Sequence, residues 1–139
     1  MFNIDELIKK AILEKNNPKK EAYRALKSAI LLAKTAKNAK PINETDILRK
    51  LIDQRKDSMQ IFEANSRKDL ADVERIQMQY LSELLPPETP DEVIEEFIVT
   101  MFPNGYSQKQ MGQVINEVKK TYPDASGKVI ARLVKNHIS

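Results

Sequence analysis

Apolar residues recur every three or four positions along almost the whole chain, and no stretch alternates apolar with polar side chains. An i, i+3, i+4 pattern puts one stripe of side chains on one helix face, whereas a half-buried strand needs a period of two. Only three glycines, Gly105, Gly112 and Gly127, interrupt a sequence rich in good helix formers. The second constraint is Pro86-Pro87. A helix does not continue through that pair, and a central strand does not accommodate it. The fold class expected is therefore all-α. Residues 1–85 form an N-terminal subdomain of long antiparallel helices, and residues 86–139 a smaller three-helix C-terminal subdomain.

The periodicity and capping signals predict seven helices. The first runs from about Asn3 to Lys15, capped by Asn3 with Glu6 at the reciprocal position, and buries Ile4, Leu7, Ile8, Ala11 and Ile12. The second opens on Pro18 behind an Asn17 cap. It turns Ala22, Tyr23, Leu26, Ala29, Ile30 and Ala33 inward and Lys20, Arg24, Lys27 and Lys34 outward, then frays through Lys37-Asn38-Ala39-Lys40. The third runs from Asn43 or Thr45 to about Ala64 on a stripe of Ile47, Leu48, Leu51, Ile52, Met59 and Phe62. Ser66 is expected to cap the fourth, whose inward face is Leu70, Val73, Ile76, Gln77, Tyr80, Leu81 and Leu84. Thr89 caps the fifth, with Pro90 at its first position and Val93, Ile94, Phe97, Ile98 and Met101 facing in. Ser107 with Gln110 opens the sixth, which buries Met111, Val114, Ile115 and Val118. The last begins between Asp124 and Ser126 and buries Val129, Ile130, Leu133 and Val134.

The residue inventory argues against most enzyme chemistry. There is no cysteine, so thiolate metal sites and cysteine nucleophiles are excluded. The single histidine, His137, is more simply a helix C-terminal residue facing the negative dipole end than a base or ligand. Asp91, Glu92, Glu95 and Glu96 fall in the first turns of a helix, where acids favour the dipole rather than pair as acid and base. Ala125-Ser126-Gly127-Lys128 lacks the upstream glycine and strand of a phosphate loop, leaving a helix start and Lys128 as a weak phosphate contact. Gly112 inside a helical pattern costs about 1 kcal/mol against alanine, which suggests close helix–helix approach or, less simply, approach of a ligand. No cofactor and no metal are expected. No apolar run reaches the length of about 20 residues that a membrane helix needs. The opening MFNIDELIKK resembles neither a secretory signal nor a mitochondrial leader, so a soluble, cytoplasmic protein with no membrane partner is expected.

Charge is the remaining lead. The net charge is +3, yet residues 1–40 carry ten Lys/Arg against four Asp/Glu, and residues 86–139 carry six against seven. Such asymmetry suits an anionic partner, although a solvated lysine-rich helical surface gives the same count. Arg24 and Lys27 lie three apart on the second helix, Arg55 and Lys56 mid-way along the third, and Arg67 and Lys68 at the start of the fourth. Cations spread over successive helices suit backbone phosphates rather than base-specific readout. Tyr23 is a candidate for stacking on a base, but its spacing places it in the core. Asp53, Asp57 and Glu63 are rivals that would neutralise the third helix internally.

These residues fall in runs that resemble one family. Gln54-Arg55-Lys56-Asp57-Ser58, then Phe62-Glu63-Ala64 and Arg67-Lys68-Asp69-Leu70-Ala71, are similar to the signature of YqeY-like proteins. So are Tyr23-Arg24-Ala25-Leu26-Lys27-Ser28-Ala29-Ile30, Leu81 to Pro86 with Val93-Ile94, Met111-Gly112-Gln113-Val114-Ile115, and Gly127-Lys128-Val129-Ile130 with Leu133-Val134-Lys135. The resemblance spans essentially the whole chain in order. It implies a free-standing version of the tail domain of GatB, the tRNA-recognising subunit of the glutamine-dependent amidotransferase. It further implies long helices followed by a three-helix subdomain, a tRNA partner, and amidation chemistry that resides in other domains. On that basis the expected function is a non-catalytic tRNA-binding module using Arg24, Lys27, Arg55, Lys56, Arg67, Lys68 and Lys128. The alternatives are a protein–protein adaptor docking on an aminoacyl-tRNA synthetase or amidotransferase complex, and a component with carbon–nitrogen ligase activity using glutamine as amide donor. The stretch Thr121-Tyr122-Pro123-Asp124-Ala125-Ser126 departs from the family's basic, glycine-rich approach to the last helix and removes a positive charge there.

Overall fold

The computed structural model describes residues 2–36 and 41–138. Among these residues there are seven α-helices, one 3₁₀ turn and no strand, so the fold is all-α. The helices are α1 (Ile4–Leu13), α2 (Asn17–Thr35), α3 (Glu44–Ala64), α4 (Lys68–Ser82), α5 (Asp91–Met101), α6 (Met111–Thr121) and α7 (Gly127–Asn136). The chain divides into two compact units, Met1–Leu85 and Pro86–Ser139. The fraying expected over Lys37-Asn38-Ala39-Lys40 lies outside the described residues.

In the first unit α2 packs on α1, α3 and α4, and α3 packs on α4. Ala22, Leu26 and Ile30 of α2 meet Leu48 of α3 and Leu81 of α4 in the core, with Phe2, Ile4, Leu51 and Tyr80 against them. Leu26, Leu48 and Leu81 are fully buried, and burial of a leucine side chain contributes about 1.5–3 kcal/mol. Ion pairs Lys27–Asp5 (2.6 Å) and Lys19–Glu14 (3.3 Å) step in opposite directions along α1 and α2, so those helices run antiparallel.

The joints of this unit differ from the expected caps. Asn16, not Asn17, caps α2: its side chain accepts from the Lys19 amide at 3.1 Å. The reason lies upstream. Lys15 sits at φ 57 and ends α1 with a Schellman turn, in which Lys15 N–H donates to Ile12 O and Asn16 N–H to Ala11 O, both at 3.0 Å. Asn16 is therefore already extended and ready to cap. The same device ends α3. Ser66 at φ 60 donates its N–H to Glu63 O (3.1 Å), and Arg67 donates to Phe62 O (2.8 Å). Ser66 thus terminates α3 instead of capping α4, and Arg67 takes the cap position with no side-chain capping bond.

In the second unit α5, α6 and α7 bury Ile94, Ile98, Val114, Val118, Ile130, Leu133 and Val134, with Tyr106 from the α5–α6 connection. The Tyr106 hydroxyl donates to Val134 O at 2.6 Å. Gly105 at φ 78 closes the turn before it, a conformation that a Cβ disfavours. Ser107 and Gln110 form the expected capping box, but the first turn there is 3₁₀ and α6 proper begins at Met111. Pro90, with its φ of −58 and extended ψ of 143, occupies the cap position of α5 that the sequence pattern gives to Thr89. Asp91 in the first turn of α5 accepts from Arg132 of α7 at 2.7 Å, so one of the helix-end acids also ties two helices.

Two further expectations are corrected. A Cβ built on Gly112 meets nothing within 4 Å among the described residues, so close helix–helix approach does not explain that glycine. Ile12, Val73, Ile76, Val93 and Met101 belong to inward stripes by spacing but are 51, 50, 41, 39 and 52 % exposed. Each stripe is wider than the face its neighbours cover, so its flank meets solvent.

Candidate nucleic-acid interface

The residues expected to contact RNA fall into three groups. Four are already held by acids. Lys27 pairs with Asp5 of α1 at 2.6 Å. Arg55 reaches Glu74 of α4 at 3.0 Å, and both side chains are largely buried. Arg67 grips Asp69 through two N–H donors at 3.2 and 3.1 Å. Arg24 lies 3.9 Å from Glu21, a loose pair one turn back on an exposed face. The Arg67 hydrogen bond holds the Asp69 carboxyl below its usual range, and the same bond and charge raise the Arg67 guanidinium.

Lys56 and Lys68 form the second group. Both are exposed, and neither has an acid partner among the described residues. Lys128 stands apart, exposed in the first turn of α7 in the second unit. The acids expected to neutralise α3 internally do not take Arg55. Glu63 instead accepts from Arg75 of α4 at 2.6 Å. Tyr23 is 2 % exposed and belongs to the core, so base stacking on it is ruled out, and burial pushes its hydroxyl above the usual tyrosine range.

The tertiary structure does bring together two cations that are 31 positions apart in sequence. Arg24 and Arg55 line one groove of about 330 Å³, together with Glu21, Ala25 and Ser28 of α2 and Gln77 of α4. Small-ligand sites run from about 300 to 1,000 Å³, so the groove is at the lower end of that range. The Oε1 of Gln77 is buried and has no hydrogen-bond partner among the described residues. A buried acceptor left unpaired costs about 1–3 kcal/mol. Sequence reading counts Gln77 with the apolar stripe of α4. The available signal was a glutamine in a row otherwise taken by Leu, Val, Ile and Tyr.

A second polar joint lies where α1, α2 and α4 meet. Asn16 Nδ2 donates to Tyr80 Oη at 2.9 Å, and the Lys19 ammonium lies 5.9 Å from the Tyr80 ring centre. Burial works against the Lys19 charge, but the Glu14 hydrogen bond and the charges of Tyr23, Glu14 and Glu83 outweigh it, so its pKa is raised. This joint holds the helices together. No group of three or more His, Cys, Asp or Glu side chains able to hold a metal ion occurs among the described residues. No helix among them is long and apolar enough to cross a membrane.

Two all-helical units, the larger one carrying a groove lined by Arg24 and Arg55, define a class of small helical module. The family model of Yqey-like proteins matches residues 2–138, and the chain belongs to that family. It is also 38 % identical over 81 residues to the "Altered inheritance of mitochondria protein 41, mitochondrial" of Saccharomyces cerevisiae, in strains YJM789 and S288c alike. The match covers 56 % of this chain and 44 % of the yeast protein. The matched region thus spans less than half the length of those relatives.

Proposed function

We propose that this protein is a non-catalytic tRNA-binding module, accessory to tRNA-dependent amidation or aminoacylation, and that the first unit carries the binding. The observation that carries the reading is the convergence of Arg24 and Arg55 on one groove, with Lys56 on α3 and Lys68 on α4 exposed and without an acid partner among the described residues. Cations spread over three helices match a path of phosphates and carry little base information by themselves. Resemblance of the chain to the GatB tail domain supports the choice of tRNA. The setting we propose is cytoplasmic, although the yeast relative's name assigns that protein to mitochondria. Lys128, on the near-neutral second unit, is the weakest of the proposed contacts.

The test is a mobility-shift titration with total tRNA at two salt concentrations. Replacing Arg24, Lys56 and Lys68 together by glutamine should weaken binding and flatten the salt dependence by about 0.7–0.9 for each phosphate no longer neutralised. It should weaken all tRNAs about equally. An affinity that is absent, or does not depend on salt, would sink the reading. The adaptor role would then lead, on the exposed Leu13 (75 %) and Leu32 (71 %) of α1 and α2. Glutamine hydrolysis by the purified chain above a heat-killed control would instead make it an amidotransferase component.

A further inference from the structure

We infer that the second unit pairs with a second copy of itself, α5 of each copy lying against α6 of the other about a two-fold axis. This does not rest on the tRNA reading, which places binding on the first unit.

The charges of this unit are sorted by helix. Five of its seven acids, Glu88, Asp91, Glu92, Glu95 and Glu96, lie in or just before α5, and all six cations follow from Lys109 onward. On the outer face of α5, Glu92 and Glu96 stand one turn apart and exposed, beside Val93 and Val99 at 39 and 55 % exposure. Like charges at that spacing repel along a helix. Neither has an ion-pair partner among the described residues, where the acid of α5 that does is Asp91. The outer face of α6 carries Gly112, Gln113, Asn116 and Lys120, with Lys109 in the 3₁₀ turn before it, all exposed. No acid interrupts this face, and Lys109 and Lys120 have no ion-pair partner among the described residues. Gly112 is unfavourable in a helix against alanine, and open space stands where its Cβ would go. A glycine there allows another chain to approach closely.

Charge chooses the occupant. Because α5 packs on α6, a partner seated across both helices meets an acidic strip beside a basic one. A polyanion following the lysines of α6 is repelled by Glu92 and Glu96, and a basic peptide on α5 is repelled by Lys109 and Lys120. The complement of such a patch carries both signs, and this chain presents one. A two-fold axis sets the same patch of two copies together, so the acids of each meet the lysines of the other. Val93 and Val99 supply the apolar contact, and Gly112 leaves room for it. Two helices of 11 residues, each about 16 Å long and about 10 Å wide, present a few hundred Å². That is below the roughly 800 Å² per partner of a stable complex, so the dimer is weak and depends on concentration.

The experiment is sedimentation equilibrium of the full chain from micromolar to millimolar concentration, at low and at high salt. Wild type should pass from monomer to dimer as concentration rises, and salt should weaken the dimer by screening its exposed pairs. Glu92→Lys with Glu96→Lys, and Lys109→Glu with Lys120→Glu, should each dimerise at least about tenfold more weakly, because like charges then face each other. Mixed in equal amounts, the two variants should recover dimers holding one chain of each. Each reversed strip then meets the other reversed strip, and the two native strips meet as before. Circular dichroism checks that each variant is folded. Gly112→Gln improves helix propensity and so keeps the fold, and it should weaken the dimer severalfold by filling the space over α6. Wild type that stays monomeric throughout overturns the inference. So do reversed variants that dimerise as wild type does, and folded ones that fail to recover on mixing. Mass that grows past the dimer means an open head-to-tail chain and overturns the two-fold contact. Monomeric wild type whose tRNA affinity falls on Lys109→Glu with Lys120→Glu gives the α6 face to RNA and overturns it as well. Dimers that form while tRNA does not bind support the inference and sink only the tRNA reading.

Discussion

The Nη1 of Arg55 stands 3.0 Å from Oε2 of Glu74, joining α3 to α4 with 22 and 16 % of the two side chains exposed. Removing one member leaves the other charge half-buried and unpaired, which is costlier than loss of a surface pair. Arg55→Gln should therefore lower stability by about 1–2 kcal/mol in urea unfolding. Adding Glu74→Gln should recover at least half of that. Equal losses in the single and double variants would show that the pair contributes no coupling. The tRNA titration spares Arg55 for this reason: its removal would mix folding with binding.

Asn16 both receives the end of α1 and caps α2, and its Nδ2 reaches Tyr80 of α4 at 2.9 Å. Asn16→Ala should cost about 2 kcal/mol, about half from the cap and half from the missing side-chain bond. Tyr80→Phe should reproduce only the second share. A Tyr80→Phe loss as large as that of Asn16→Ala would mean that the cap contributes little.

Backbone conformation predicts three stabilising substitutions. Lys15 and Ser66 occupy φ 57 and 60, where a Cβ is unfavourable, and glycine there should add up to about 1 kcal/mol each. Gly112 is the reverse case: it sits in α6 with open space where a Cβ would go. Gly112→Ala should stabilise the second unit by about 1 kcal/mol, raising its Tm by several degrees. A fall in Tm on Gly112→Ala would point to an occupant of that space.

Tyr106 should contribute to the loss of stability of the second unit at alkaline pH. It is 4 % exposed, and burial raises its pKa above the ordinary value. Between the unfolded and folded values the unfolded chain has released a proton that the folded chain keeps, so stability falls as pH rises. Its contribution is complete below about pH 10 and is lost progressively above it. Tm measured from about pH 8.5 to about 11.5 should decline in that upper range. Tyr106→Phe should lower Tm at the start of that range, through loss of the 2.6 Å bond to Val134 O, and make the alkaline decline shallower. An unchanged decline would assign it to Lys19 and Tyr23, whose raised values act in the same direction in the first unit.

Helix number and the identity of most core residues were legible in the sequence, because the helical period marks which face must leave water wherever the neighbours stand. Leu26, Leu48, Leu81, Val114 and Ile130 are examples, each inward by spacing and fully buried in the fold. Capping was legible only where one residue had one use. Asn3 caps α1 as expected, whereas Ser66 was claimed by the end of α3 before it could start α4. Flanking positions such as Val73 and Ile76 were misread, because the width of a buried stripe depends on how many helices lie against it. The candidate site was least legible. Sequence alone named Arg24 and Arg55 as candidate phosphate contacts and offered acids of α3 only as rivals for that helix's charge. Only tertiary packing gave Arg55 its partner Glu74 and brought it to the groove that Arg24 also lines. Local periodicity is a property of consecutive residues, but a groove is made by side chains from three helices, and their register against one another is written in the packing of all three.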